Sequence, residues 1–297
     1  MPFDRSQPPV VFGEVLFDCF PDGSRVLGGA PFNVAAHLAA FCAAPVFVSR
    51  VGNDALGDRI AKAMTDRGMS RIGLQRDPAH DTGTVEVTLS GGEPTYEIVA
   101  DRAYDNIDAG ALPALSGGGL LYHGSLALRN GVSATALRTL REALDAQIFL
   151  DVNLRSPWWD EQQVLAMIDA ATWAKLNADE LELLAPAGAT LEERARLLLE
   201  RHELELVIAT QGSRGAFALS SDGGLCRVAP EAGVQVVDAV GAGDGFASVL
   251  ILSLLRAWPL QQSLERAQSF ASAMVGQRGA TVEDPQFYAA FAKAWGL

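Results

Sequence analysis

Two patterns of apolar residues alternate along this chain. Short β-prone runs bounded by Gly, Asn or Asp predict buried strands at residues 10–17, 46–51, 120–123, 148–153, 174–177 and 204–210. Longer stretches with helical spacing predict helices at 33–42, 55–67, 133–144, 161–171, 178–184, 191–201, 246–256 and 263–275. The second of these stops at Gly68. Strand and helix alternate, which predicts a mostly parallel sheet with helices on both faces.

One segment breaks the rhythm. Residues 82–100 alternate β-prone positions around Gly91-Gly92-Glu93-Pro94, a hairpin signal. It is either an edge hairpin of the main sheet or a small β lid over a cleft. There is no tandem repeat or linker, so the 297 residues read as one chain-long domain, 1–297, plus that lid.

Composition narrows the function classes. A net charge of -13 repels phosphate backbones, which argues against nucleic acid as a partner. Cys19, Cys42 and Cys226 are scattered and form no CxxC, so neither a disulfide framework nor a zinc site is expected. Residues 1–9 are polar and do not resemble a signal peptide. The longest apolar stretch, 246–255, is too short for a bilayer, so no membrane is expected and the chain reads as cytoplasmic.

Candidate chemistry centres on Val237-Asp238-Ala239-Val240-Gly241-Ala242-Gly243-Asp244-Gly245-Phe246, between a β-prone run at 234–237 and a long apolar helix. Small residues at 241–243 let successive N–H groups converge at a helix N-terminus, which suits an anion. Asp244 beside such a site is placed to accept a proton from an attacking hydroxyl, as phosphoryl transfer requires. It is equally compatible with a helix N-cap on a glycine turn, and both readings stay open here. There is no GxxxxGK[ST], so a Walker-type loop is excluded. A second glycine pair precedes a helix in Gly28-Gly29-Ala30-Pro31-Phe32-Asn33, followed by Gly52-Asn53-Asp54 and Gly57.

Together these segments resemble the two signatures of the ribokinase-like (phosphofructokinase-B type) carbohydrate kinases, a GGxxxN with G-x-D-x-x-G and a D-T-x-G-A-G-D-x-F. Four other segments resemble that family's landmarks in order. They are Gly13-Glu14-Val15-Leu16-Phe17-Asp18, Asp151-Val152-Asn153-Leu154-Arg155, Asn177-Ala178-Asp179-Glu180 and Thr210-Gln211-Gly212-Ser213-Arg214-Gly215. The resemblance spans residues 10 to about 282. It implies a doubly wound α/β fold with a lid formed by about 14–30 and 82–106. The implied reaction is ATP-dependent phosphorylation of a sugar, fructokinase-like, with Mg²⁺.

By the same resemblance, Asp244 is the base, and Gly241, Ala242 and Gly243 form the anion hole. Asp18, Gly29, Asn33, Tyr104 and Arg155 hold the sugar. Asn177, Thr210, Gly212, Gly215, Gly243 and Ser272 line the nucleotide, and Glu180 acts on Mg²⁺ through water. K⁺ near Asp238 is open, because Ala239 and Val240 replace the family's Thr-rich pair. Pairing of lids in a homodimer is also implied. A 2-keto-3-deoxy sugar-acid kinase, and a regulator that binds sugar and nucleotide without turnover, are the alternatives. His37 and the Trp158-Trp159 pair read as packing residues, while His123 ends a strand near the expected cleft.

Overall fold

The β-branched and apolar runs pair side by side, and the helices that follow them cover both faces of the resulting sheet. The computed structural model describes residues 4–90, 93–115, 117–231 and 233–297. In chain order the elements are β1 (Val10–Phe12), β2 (Leu16–Cys19), β3 (Arg25–Gly28), α1 (Ala30–Ala40), β4 (Val46–Gly52), α2 (Ala55–Asp66), β5 (Leu74–Asp77), β6 (Gly83–Ser90) and β7 (Glu93–Ile98). They continue with β8 (Leu120–His123), α3 (Gly131–Leu144), β9 (Gln147–Asp151), α4 (Glu161–Asp169), β10 (Trp173–Asn177), α5 (Ala178–Leu184) and α6 (Leu191–Arg201). Last come β11 (Leu206–Thr210), β12 (Ala216–Ser220), β13 (Leu225–Val228), α7 (Ala242–Arg256), α8 (Leu260–Met274) and α9 (Pro285–Trp295).

The main sheet has the order β13-β12-β11-β10-β9-β8-β1-β4-β5. It is parallel except where β12 meets β11 and β13. Strand alternation assigns the faces. Val11 joins Phe32, Phe47, Phe246 and Phe270 in one core, while its neighbours Val10 and Phe12 join Leu121 and Leu137 on the other side. Helix α7 is buried along most of its length and packs on α1 and α8. No described helix is long and apolar enough to cross a membrane.

The 82–100 hairpin is not an edge of the main sheet. It forms a second sheet with the order β3-β2-β6-β7. Its Gly91-Gly92 turn lies outside the described residues. This sheet also absorbs half of the run at 10–17, which is two strands rather than one. At Gly13 the chain leaves the main sheet with φ +149°, where a Cβ would meet Pro31 Cγ at 2.5 Å. The Gly52-Asn53-Asp54 element ties the two sheets together. The Asp54 carboxylate caps α2 by accepting from the Gly57 amide, and it also accepts from the amide and hydroxyl of Thr82 just before β6.

The β-prone run at 234–237 forms no strand. The Val237 and Asp238 amides bond to the Val275 carbonyl at the end of α8, and Val236, Val237 and Val240 are exposed. Strand preference has no effect where no sheet edge is within reach.

Candidate active site

Asp151, Asn177 and Thr210 stand at the carboxyl ends of β9, β10 and β11, on the β8 side of the point where strand order reverses between β1 and β8. Register sets Asp151 beside Lys175, and Asn177 beside Thr210. Lys175 donates to both oxygens of Asp151 at 2.9 Å, and the pair is buried. Burial alone would lower the Lys175 pKa, yet Asp151, with help from Glu180 and Asp244, holds it above the ordinary lysine value. Its Nζ looks toward α7, 3.9 Å from where a Cβ of Gly243 would sit. Lys175→Met should therefore lower stability by about 3–5 kcal/mol, because it strands a buried Asp151. Urea unfolding of that variant, and of the Asp151→Asn, Lys175→Met double variant, checks this. The double variant should recover part of the loss.

At the start of α7, Gly241 is the N-cap in the left-handed region, at φ 79°, with no side-chain cap. A Cβ there would lie 2.4 Å from Ala280 Cα. The segment behind it is fixed from two sides. Asp238 accepts from the Gly279 amide, and buried His37 bridges the Ala280 carbonyl and the Tyr288 hydroxyl at 3.0 Å each. His37 is thus a packing residue, as expected, but one that buttresses this loop.

Asp244 lies in the first turn of α7 and is not the cap. Its carboxylate accepts from Asn33 Nδ2 at 2.7 Å, across the interface with α1. The capping alternative fails on that geometry. Burial pushes the Asp244 pKa up to about 6, opposed by the Asn33 hydrogen bond and the Lys175 and Arg155 charges, and reinforced by Asp151. A base works only when ionised, so kcat/KM should fall as pH drops through about 6, well above the usual aspartate range near 4. A pH profile of the free enzyme checks this. For stability the sign is the opposite: the folded form binds this proton more readily, so the group costs stability as pH rises through about 6.

At the start of α1, Gly29 caps the helix at φ 105°, and a Cβ there would sit 2.7 Å from the Glu14 carbonyl. Asn33 is buried, and its Oδ1 has no partner. Asp18 stands half-buried on β2, its pKa raised by burial and lowered by Arg155. Arg155 is exposed and makes no side-chain hydrogen bond or ion pair among the described residues. Its charge bears on Asp244, Glu14 and Asp18. Tyr104 is fully buried behind the site rather than lining it, with its hydroxyl held by Arg129 at 2.9 Å. Arg129 in turn pairs with Asp105 and covers Trp158. His123 is buried, bonded to the Gly124 carbonyl and kept neutral by burial near pKa 4.

At the end of β10, exposed Asn177 caps α5 in a reciprocal box with Glu180. The two Glu180 oxygens accept from the Leu154 and Asn177 amides at 2.7 and 2.8 Å, which fixes the loop bearing Arg155. Thr210 ends β11, and Gly212 and Gly215 turn the chain at φ 57° and 89°. The surface at Gly212 is open: a Cβ there would meet nothing within 4 Å. Ser272 is buried on α8 and accepts from Gln268, so its side chain does not line an open surface. No described cluster of three or more His, Cys, Asp or Glu could by itself hold a metal.

Sequence reasoning passed over Lys175 and Glu14. Lys175 was signalled by a charge inside an otherwise apolar strand. Glu14 was signalled by a carboxylate between two buried strands.

The family profile for pfkB family carbohydrate kinases matches residues 18–286. Fructokinase of Klebsiella pneumoniae is 31% identical, covering 82% of this chain and 83% of its own length. Fructokinase-1 of Oryza sativa subsp. japonica is 28% identical, covering 91% and 90%. Among solved structures, fructokinase from Vibrio cholerae O395 with fructose, ADP and calcium ion matches with TM-score 0.79 at 27% identity, over 96% of this chain and 99% of that one. Aminoimidazole riboside kinase from Salmonella enterica, complexed with aminoimidazole riboside and an ATP analog, matches with TM-score 0.81 at 26% identity, over 95% and 98%. With its ribokinase-like sheet, its separate small sheet and this match over most of its length, the chain belongs to the pfkB family carbohydrate kinases and is an ATP-dependent, fructokinase-like sugar kinase.

Proposed function

We propose that this kinase transfers the γ-phosphoryl group of ATP to a hydroxyl of fructose or a closely similar sugar, with Asp244 as general base. The observation that carries this is the Asp244 carboxylate, anchored by Asn33 on one side and set in the uncapped first turn of α7 on the other. Asp18, Gly29, Asn33 and Arg155 orient the sugar so that its hydroxyl meets Asp244. Tyr104 backs the pocket from behind. Asp244 takes the hydroxyl proton as the oxygen attacks.

The amides of Gly241, Ala242 and Gly243 receive the charge developing on the transferred group, and Lys175 adds a cation beside Gly243. Asn177, Thr210, Gly212 and Gly215 line the nucleotide. Glu180, whose oxygens already accept from the Leu154 and Asn177 amides, would act on Mg²⁺ through water, and the ion would supply neutralisation of the phosphate charge. For K⁺, Asp238 is already engaged by the Val240 and Gly279 amides, so that ion would rest on backbone carbonyls of the same loop.

Residues 1–297 act as one domain, with the small sheet as the lid, its outer side available to a second lid in a homodimer. The surroundings expected for such a chain are cytoplasmic. Fructose, ADP and potassium ion in the bound form of a Vibrio cholerae O395 fructokinase variant support the choice of substrate and ion.

Coupled measurement of ADP formation across a sugar panel tests the proposal, with fructose expected to be the best acceptor. One observation favours a second reading: the unpaired Arg155 charge would suit the carboxylate of a 2-keto-3-deoxy sugar acid. In that case Arg155→Met would impair an acid substrate far more than fructose. Equal effects on both would remove the second reading.

A further inference from the structure

Glu14 is a buried carboxylate with an unused oxygen. It is 4% exposed, and its Oε2 has no hydrogen-bond partner. No hydrogen bond from another described residue reaches this oxygen. A buried polar atom left unmatched costs stability, so its presence calls for an explanation.

The surroundings place it at the sugar. The carboxylate feels the charges of Arg155, Asp244 and Arg129. Tyr104 and Tyr122 both feel Glu14 in turn. Arg129 does not neutralise it by contact. Its Nε and Nη2 are taken by Asp105, Tyr104 and the Val99 carbonyl, and its Nη1 is also unmatched. Val15 and Phe17 turn into the main core while Leu16 packs against Tyr104. The Glu14 carbonyl lies 2.7 Å from where a Cβ of Gly29 would sit, at the head of the helix that carries Asn33. Asn33 Oδ1, the other unmatched acceptor of this cleft, belongs to the residue that holds Asp244.

We infer that Glu14 contacts the sugar: its Oε2 accepts a hydrogen bond from a hydroxyl adjacent to the one that Asp244 deprotonates, and so selects acceptors with two neighbouring hydroxyls. This rests on reading the cleft as a sugar site. A site built to accept a hydroxyl discriminates strongly against analogues that lack it, because the buried acceptor is then left unmatched.

The test uses the full chain, with fructose and its monodeoxy analogues as probes. Binding by calorimetry and turnover are both measured for wild type, Glu14→Gln and Glu14→Ala. Wild type should bind one monodeoxy analogue about 10- to 100-fold more weakly than fructose. The variants should lose most of that factor on fructose and little on that one analogue. Glu14→Gln keeps the shape of the side chain and carries the test if Glu14→Ala does not fold. Equal losses on fructose and on every analogue would mark a structural role and overturn the inference. Coupling in binding without phosphorylation would leave Glu14 in place and reject the fructokinase reading. Phosphorylation of fructose without coupling would reject Glu14 alone, and fructose failing to bind would reject both.

Discussion

Asp244→Asn should lower kcat by about 10²–10⁴-fold while the protein stays folded. The substitution preserves shape but removes the capacity to take a proton. The amide can still meet Asn33, whose Nδ2 now reaches the carboxylate at 2.7 Å. It also removes a negative charge that burial and Asp151 both disfavour, so thermal stability at pH 7 should not drop. The activity limb near pH 6 should disappear with the carboxylate. Steady-state ADP formation, a melting curve and a pH profile of the variant check the three parts. A fully active Asp244→Asn would place the base elsewhere.

Gly241→Ala should be a severely damaging single methyl at the start of α7. The backbone there has φ 79°, and the new Cβ would sit 2.4 Å from Ala280 Cα and 2.5 Å from its Cβ. Neither backbone neighbour can yield easily, since Gly279 is tied to Asp238 and the Ala280 carbonyl to His37. Strain of this kind costs about 1–3 kcal/mol in stability. Displacing the first turn of α7 also moves the amide donors from the transferring phosphoryl group, and loss of one such donor costs about 10²–10³-fold in kcat. Denaturant unfolding and turnover together check the pair of effects. Gly212→Ala is the contrast, because a Cβ at 212 meets nothing within 4 Å, although its φ of +57° still carries backbone strain.

Local pattern made much of this legible. Runs such as 120–123, 178–184 and 191–201 coincide with β8, α5 and α6 because apolar spacing and caps agree there. What the pattern could not supply was partnership. The run at 10–17 has uniform strand character, and only the second sheet divides it at Gly13. The run at 234–237 has the same character and no partner strand. Strands β3, β5, β12 and β13 are short, with exposed or half-buried positions breaking most of them, and α9 lies beyond the last motif. In the site, the glycine turns and Asp244 stood out as clusters. Lys175 and Glu14 did not, since their meaning depends on Asp151 and Asp244, far off in sequence and adjacent only once the sheet forms. Tyr104 and Ser272 are both buried, with their hydroxyls engaged by Arg129 and Gln268.

The most direct test of the account is transfer of radiolabelled γ-phosphate from ATP to fructose by the purified chain with Mg²⁺ at pH 7.5, followed by separation of the sugar product. The account predicts label on fructose with wild type and a loss of about 10²–10⁴-fold with Asp244→Asn. Fructose that stays unlabelled while ATP is turned over, or label transferred equally well by both proteins, would contradict it.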